Sequence, residues 1–338
     1  MRSYDGTIRD VRGASPVVPV WRAVGLVLGL IFGAAAPAAA PEVPGADQIV
    51  TRTLPNGMKL VVWPDKDIPN VAMYTWYRVG SRNERPGITG ISHFFEHMMF
   101  NGTKTRAPGE FDRIMEGSGG SNNAYTSSDV TVYQNWFPSS VTSLIFDLES
   151  DRMRNLDFDA GKVESERGVV FSERRSSVDN DNFGTLLEQM QATAFVAHPY
   201  QIPIIGWPSD IEGWKVTDLQ DYYRQYYAPN NAVMLIVGDV DPEAVFKLAD
   251  QYLAGIPAQP TPPAVTTKEP PQLGERRLRI ERDAQTPLIA MAWHTAAASA
   301  REARVMEVLL AILGDGDSSR LYQRLVEQEQ AAVDVGTQ

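Results

Sequence analysis

The stretch that most constrains this chain is 90–100, because it holds two of the four histidines only four residues apart. In an α-helix, residues four apart lie about one turn apart on the same face, so His93 and His97 would point to one side. Glu96 lies three residues after His93 and leans toward that side. The spacing therefore predicts a helix that presents two imidazoles and a carboxylate to one point.

Two neutral imidazoles on one helix face predict a metal site, and such a pair suits zinc. A nearby carboxylate that does not have to bind the ion suits a general base that acts on a water at the metal. The alternative is that both histidines are ordinary core or surface residues. Three residues in one register, in a chain with few histidines, favour the metal site. The pattern His-x-x-Glu-His is the inverted form of a common zinc-protease helix motif.

Composition narrows the possible partners and ligands. The 338 residues, 43% hydrophobic and 22% charged, suit a globular protein with room for two domains. The net charge of −11 argues against nucleic acid and anionic membrane surfaces as main partners. Because the chain has no cysteine, a metal site has to be built from histidines and carboxylates.

The N-terminus has the pattern of a secretory signal peptide over residues 1–40. Arginines precede an apolar run at 23–32, and small residues with A-x-A cleavage patterns follow at 33–40. The alternative is an uncleaved anchor, but the run is short for a bilayer span of about 20 residues. We expect an exported protein, periplasmic in a Gram-negative source and otherwise secreted, with no stable membrane insertion after signal cleavage.

Strands and helices alternate in blocks over 47–255, which predicts an α+β domain whose mainly antiparallel sheet has helices packed on it. Pro55-Asn56-Gly57 between two β-rich runs predicts a hairpin. A long helix with a charged face is expected at 159–178. Residues 256–273 contain six prolines and are predicted to form an extended linker.

After the linker, the pattern restarts in the order strand, loop, apolar helix, polar turn and short helix, which resembles 71–115. We therefore expect a diverged internal repeat without the histidine pair. The expected elements are strands at 278–280 and 288–294 and helices at 302–313 and 320–328. The predicted fold class is two repeated α/β-sandwich halves, with the second half, 274–338, truncated.

Two histidines and a water leave zinc one protein ligand short, and the helix at 159–178 offers two candidates. Glu166 and Glu173 are seven residues apart, so they share a helix face. From the residues alone, either one could complete a His-His-Glu site while the other orients a ligand. The alternative for a helix rich in Glu and Arg is a solvated face with ion pairs.

Taken together, these motifs resemble the pitrilysin (insulinase) family of zinc metallopeptidases, which includes insulin-degrading enzyme and the mitochondrial processing peptidase. The resemblance covers most of 47–338. It rests on the histidine motif with the two glutamates, on Gly119-Gly120-Ser121-Asn122-Asn123-Ala124-Tyr125-Thr126, on His198-Pro199-Tyr200, and on Gly314-Asp315-Gly316-Asp317-Ser318-Ser319-Arg320-Leu321.

The resemblance implies that His93, His97 and Glu173 bind one zinc ion per chain. It implies that Glu96 is the general base and that Glu166 is the acid that holds the site in place. Residues 47–255 would then be the catalytic metal-binding peptidase domain. The implied activity is that of a zinc metalloendopeptidase acting on short or unfolded peptides.

The resemblance also implies that one strand binds the backbone of an extended peptide substrate. Its residues would be Asn123, Ala124, Tyr125 and Thr126. The alternative is an ordinary strand after a turn. His198 and His294 are expected to have structural roles and no metal role.

Residues 274–338 are too few for a half that matches the first, and no residue can be assigned to the Arg-Tyr pair that supports substrate from the family's far half. We expect either a fragment of a longer chain or a partner, a second copy or another subunit, that completes the chamber. The alternative function is a non-catalytic peptide-binding subunit of a heteromeric peptidase, or an inactive fragment that needs a partner half. The intact metal motif argues against a non-catalytic role.

Overall fold

A computed structural model of the chain describes residues 43–338. The predicted signal peptide, residues 1–40, lies outside the described residues. Within 43–338, none of the helices has both the length and the apolar composition that a bilayer crossing requires.

Six strands form one mixed sheet. They are β1 (Val50–Thr53), β2 (Lys59–Pro64), β3 (Asn70–Tyr77), β4 (Ser121–Thr126), β5 (Thr131–Pro138) and β6 (Ala232–Gly238). Their order across the sheet is β1-β2-β6-β3-β5-β4, so β4 lies at an edge. Neighbouring strands are antiparallel except β2 and β6, which are parallel. The mainly antiparallel sheet that the sequence predicts is thus confirmed.

The predicted hairpin joins β1 to β2. Gly57 has a φ of 87°, a left-handed conformation that glycine adopts without steric cost. Its N–H donates to the Leu54 carbonyl at 2.8 Å, and the Leu54 N–H donates to Met58 O at 2.9 Å. The Asn56 side chain donates to the carbonyls of Leu253 and Ile256, both at 2.9 Å, and so ties this turn to the end of the first domain.

Nine helices are found in the described part of the chain. They are α1 (Ile91–Met98), α2 (Glu110–Gly117), α3 (Thr142–Asn155), α4 (Ala160–Arg174), α5 (Asn182–Ala194), α6 (Pro208–Gly213), α7 (Val216–Tyr226), α8 (Pro242–Tyr252) and α9 (Arg301–Gly314). Alternate residues of β3 are buried, as expected for a strand with one face against the core. Phe94, Phe95 and Met98 of α1 are fully buried in that core.

The long helix expected at 159–178 is α4 followed by one wider, π-helical turn at Arg175–Asp179. Asp159 caps its start by accepting the N–H groups of Gly161 and Lys162 at 2.9 and 3.1 Å. Such a cap satisfies backbone donors that the helix itself leaves unpaired. The fold of the first half is therefore the predicted α+β arrangement of one sheet with helices packed on it.

The strands predicted at 278–280 and 288–294 are absent, so this prediction is wrong. Residues 257–300 contain neither helix nor strand. A strand needs a neighbouring strand to pair its backbone groups, and none of the described strands lies beside this segment. Its apolar side chains stay in solvent, with Ile289 85%, Met291 74% and Trp293 75% exposed.

The helix predicted at 302–313 is confirmed as α9, because a helix makes its hydrogen bonds within its own segment. The short helix expected at 320–328 is a π-helical turn at Tyr322–Gln328. In the predicted second half, the structure therefore contains the two expected helical segments but not the expected strands.

Candidate metal centre

The start of α1 is held in place by two neighbouring loops. Both oxygens of the buried Glu84 carboxyl accept backbone N–H groups, from Gly90 at 2.7 Å and from Ser92 at 2.8 Å. Gly90 has a φ of 83°, and a Cβ there would lie 2.4 Å from the Ile205 carbonyl oxygen. These contacts fix where the helix begins and therefore where its histidines point.

His93 and His97 share one face of α1, as their spacing predicts, with ring centroids 4.7 Å apart. Both rings turn Nε2 toward Glu173 on α4. The distance from His93 Nε2 to Glu173 Oε1 is 3.5 Å, and that from His97 Nε2 to Glu173 Oε2 is 3.3 Å. In the described part of the chain, this is the single group of three possible metal-binding side chains with donor atoms within 4.8 Å of one another.

This donor set fits zinc. Nitrogen and carboxylate donors lie about 2.0–2.2 Å from a tetrahedral zinc ion, which places them roughly 3.3–3.5 Å from one another. The two measured separations match that spacing. The Glu173 side chain is 42% exposed, whereas that of His93 is 10% exposed. The group of His93, His97 and Glu173 is therefore buried on the His93 side and open to solvent on the Glu173 side.

Glu166, the other candidate ligand, lies behind His97 rather than beside the two Nε2 atoms. Its Oε1 is 2.7 Å from His97 Nδ1, and its Oε2 accepts a hydrogen bond from the side chain of Asn101. Sequence reasoning left open which glutamate would bind the ion. In the structure, Glu173 lies near Nε2 of both His93 and His97, whereas Glu166 contacts Nδ1 of His97.

The pKa values in this cluster follow from these contacts. Burial by itself would lower the pKa of His97, but hydrogen bonds with Glu166 and Glu173 outweigh it and raise that pKa to about 9. Hydrogen bonds from His93 and His97 hold the pKa of Glu173 far below its usual value. The pKa of Glu166 is also lowered, because hydrogen bonds from His97 and Asn101 outweigh the effect of burial.

Glu96 is joined to the end of the edge strand β4. Its Oε2 accepts a hydrogen bond from Thr126 Oγ1 at 2.6 Å. Asn123 and Tyr125 are exposed, and the Ala124 N–H donates to the Asn123 side-chain oxygen at 2.9 Å. The residues expected to bind a peptide therefore form a strand at an open sheet edge, with one end hydrogen-bonded to the residue expected to be the base.

The other two histidines lie elsewhere. His198 Nδ1 accepts the Tyr200 N–H at 3.2 Å, and His294 Nε2 lies 2.9 Å from the Ala194 carbonyl oxygen. The Tyr200 hydroxyl donates to both oxygens of Asp129, at 2.8 and 2.9 Å. Neither ring belongs to the group formed by His93, His97 and Glu173.

Sequence reasoning missed two contacts of this site. It did not identify Asn101 as a partner of Glu166, or Thr126 as a partner of Glu96. Asn101 carried no usable signal, since it lies beyond the end of α1 and 65 positions before Glu166. No local signal pointed from Thr126 to Glu96, because the two residues are 30 positions apart on different elements.

Comparison with known proteins places the chain in a family. Residues 60–207 match the family model "Insulinase (Peptidase family M16)", and residues 213–338 match the model "Peptidase M16 inactive domain". The zinc protease PqqE of Helicobacter pylori is 35% identical over 289 residues, which cover 83% of this chain. The chain spans 64% of the length of that relative.

Solved structures agree with the sequence matches. A crystal structure of a protease from Helicobacter pylori has a TM-score of 0.79 at 32% identity and covers 85% of this chain and 70% of that one. The periplasmic protease PqqL from Escherichia coli has a TM-score of 0.61 at 27% identity and covers 67% of this chain and 26% of that one. The family models, the related zinc protease and these folds together show that the chain belongs to the insulinase family, peptidase family M16, as its motifs predict.

Proposed function

We propose that this chain carries the catalytic site of an exported zinc metalloendopeptidase that hydrolyses short or unfolded peptides. The observation that carries the proposal is the convergence of His93 Nε2, His97 Nε2 and the Glu173 carboxylate, with Glu96 on the same helix. These three residues would hold one zinc ion per chain. The names of relatives as zinc proteases support this reading.

Zinc bound by these residues would lower the pKa of a water and polarise the scissile carbonyl. Glu96 is the base that takes the proton of the attacking water and passes it to the leaving amine. The hydrogen bond from Thr126 holds one of its oxygens, so the other would be free to accept the proton. Glu166 holds the His97 ring by Nδ1, which keeps Nε2 on the side of Glu173, where the three residues would hold the ion.

The proposed substrate is an extended peptide that adds a strand to the edge of the sheet at β4. An edge strand has backbone groups that a peptide can pair with, and such binding reads the backbone more than the sequence. To use the Ala124 N–H, the peptide would have to displace the side-chain oxygen of Asn123. Folded proteins do not offer a free extended segment, which favours short or unfolded substrates.

The far wall of the substrate chamber is proposed to come from outside the first domain, from a second copy or from a partner subunit. Residues 256–273 would be the linker to a non-catalytic domain, of which 274–338 are the start. Export to the periplasm agrees with the related protease that is named periplasmic and with the N-terminal signal pattern.

Zinc content and peptide hydrolysis, measured together, test this proposal. Both would be assayed for this chain and for a form extended to the full length of its relatives. Glu96→Gln should keep zinc and lose hydrolysis by about 100-fold or more, because only proton transfer is removed. Glu173→Gln should lose both, and the control His198→Gln should keep both.

Two results would contradict the proposal. One is a wild-type chain that does not bind zinc. The other is zinc binding without hydrolysis of a quenched fluorescent peptide or a disordered protein, even in the extended form. If that form bound peptides but cleaved none, the function would be that of a non-catalytic peptide-binding subunit.

A further inference from the structure

Asn101 lies just beyond the C-terminal end of α1, where its N–H donates to the Met98 carbonyl at 3.0 Å. Its side chain faces Glu166 on α4, so it connects the end of the metal helix to the middle of the second helix of the site. A carboxylate without its proton only accepts hydrogen bonds, so the amide nitrogen of Asn101 must be the atom that faces it.

Glu166 is thereby bound at both oxygens. Oε2 accepts from Asn101, and Oε1 meets His97 Nδ1 at 2.7 Å. A carboxylate held at one oxygen alone could rotate about its terminal torsion, which is broad for glutamate. With both oxygens engaged, Oε1 stays directed at His97, and the opposite nitrogen of that ring stays directed at Glu173.

His93 has no comparable support. Its Nδ1 atom is buried and has no hydrogen-bond partner among residues 43–338. Packing therefore orients the His93 ring, whereas the His97 ring is held by a chain of two hydrogen bonds. A change at Asn101 should then affect the two imidazoles unequally, and this asymmetry makes its role measurable.

We propose that Asn101 is a positioning residue of the metal site, which fixes the orientation of the His97 ring through Glu166. This role refines the proposed function, and its consequence for catalysis rests on that function. The chain of contacts itself needs no bound ion, so it can be tested separately.

The first test is NMR of 15N-histidine-labelled protein prepared without metal. The chain has four histidines; His198→Gln, His294→Gln and His93→Gln assign three of them, so the remaining signals belong to His97. In Asn101→Leu, which has nearly the same shape but no donor, the proton on His97 Nδ1 should move upfield and exchange at least about 10-fold faster, while the His93 signals stay in place. Unchanged His97 signals in this variant would overturn the proposal.

The matched control is Asn155→Leu. Asn155 also donates its amide to a carboxylate, Asp151 Oδ1 at 2.7 Å, and is also half-buried. It lies on α3, and the other partners of Asp151 are Thr103, Thr105 and Arg106 rather than His93, His97 or Glu173. This variant should leave all four histidine rings unchanged. If it moved the His97 signals as much as Asn101→Leu does, the effect would be a general loss of packing and the proposal would fail.

The second test is zinc affinity, measured by competition with a chelator. Loss of a partner behind a metal-binding residue weakens binding 10–100-fold in known sites, so Asn101→Leu should raise the Kd for zinc about 10-fold. Asn155→Leu should leave the Kd within about twofold. An equal Kd for Asn101→Leu and wild type would also count against the proposal.

The two tests separate the failure of this proposal from failure of the proposed function. If the wild type does not bind zinc, the function fails, while the His97 signals still decide whether Asn101 positions the ring. If Asn101→Leu does not fold, the wild-type Asn101 amide gives the answer. One of its protons should be downfield and slow to exchange, and it should shift in Glu166→Gln. If the side-chain amide protons of Asn101 had the chemical shifts of a solvent-exposed asparagine, the proposal would be overturned.

Discussion

Four glutamates lie on α1 or beside it, and each has a different environment. Glu173 meets two imidazole nitrogens, Glu166 meets an imidazole and an amide, and Glu96 meets a hydroxyl. Glu84 meets only backbone N–H groups at the start of the helix. The same side chain can therefore serve as ligand, ring support, base or helix cap, according to the donors that the fold brings to it.

Thr126 offers the most direct test of how the proposed base is oriented. Thr126→Val keeps the shape of the side chain but removes the hydroxyl that donates to Glu96. Because a hydrogen bond to a charged group contributes about 1.5–3 kcal/mol, we expect kcat to fall roughly 10- to 100-fold with zinc content unchanged. Steady-state kinetics and metal analysis on the same samples measure both.

A matched control for this change is Thr105→Val. Its hydroxyl also donates to a carboxylate, Asp151 Oδ1 at 2.7 Å, but Asp151 is neither Glu96 nor one of the three proposed metal-binding residues. It should leave kcat unchanged. If Thr126→Val kept wild-type kcat, its hydrogen bond would not orient the base.

Glu84 should make stability depend on pH. Burial raises the pKa of Glu84 from 4.5 to about 8, although hydrogen bonds from Ser92 and Gly90 oppose the rise. The folded state therefore holds this proton more tightly than the unfolded state. Its contribution to stability is fully present below about pH 4.5 and is lost as pH rises through about 8.

Glu84→Gln isolates this contribution, because glutamine does not titrate and retains an oxygen that accepts an N–H group. The free energy of unfolding of wild type minus that of the variant should fall between pH 4.5 and 8. Urea unfolding at five or six pH values measures the difference, and other titrating groups largely cancel in it. A difference that grows with pH would mean that Glu84 is ionised in the folded protein.

At the scale of elements, the predicted linker is attached to the end of α5. Glu269 accepts the N–H groups of Val196, Ala197 and His198 at 2.9, 3.0 and 2.9 Å. Arg276 donates to the carbonyls of Thr193 and Ala194 at the last turn of the same helix. Arg276 thus satisfies carbonyls that the end of α5 leaves unpaired, and Glu269 satisfies the N–H groups of the loop that follows.

Glu269→Gln should loosen this attachment, because a neutral amide accepts backbone N–H groups less strongly than a carboxylate does. We expect faster hydrogen exchange at Val196, Ala197 and His198 and earlier proteolytic cleavage between residues 256 and 276. Glu275→Gln is the control, since Glu275 is exposed and bonds only to Arg277. Equal exchange rates in both variants would show that the linker is held by other contacts.

At the scale of the whole molecule, α9 carries an apolar stripe in solvent. Val305, Val308, Leu309 and Ile312 are 61%, 61%, 41% and 46% exposed and follow the helical spacing of a core-facing surface. Monomeric soluble proteins rarely expose a contiguous apolar surface of this kind. A second copy, one of the two ways in which the proposed function completes the chamber, would be expected to cover this surface by pairing through α9.

Sedimentation velocity at increasing protein concentration would show this association as a rising sedimentation coefficient. The double variant Val308→Glu with Ile312→Lys should lower the association at least about 10-fold, because it places charges in the buried area. Arg304→Gln, a polar change on the same helix, should have little effect. A chain that remains monomeric at all concentrations would contradict the expectation.

The parts of the fold that depend on local spacing were predictable from sequence. The histidine pair implies a helix because residues four apart meet on one face, and Asn56-Gly57 implies a hairpin because glycine takes the left-handed conformation at low cost. Runs in which apolar and polar residues alternate predicted the remaining strands of the first half. Each of these inferences uses residues that are neighbours in the chain.

The strands expected at 278–280 and 288–294 show where this reasoning ends, since β-structure depends on a partner strand that a local pattern does not specify. The division of roles between Glu166 and Glu173 has the same origin. Their spacing makes them equivalent, and only the way α4 lies across α1 separates them. Sequence alone therefore determined the helix that presents His93 and His97 on one face, whereas tertiary structure decided which distant side chains, Glu173, Glu166 and Thr126, meet it and through which atoms.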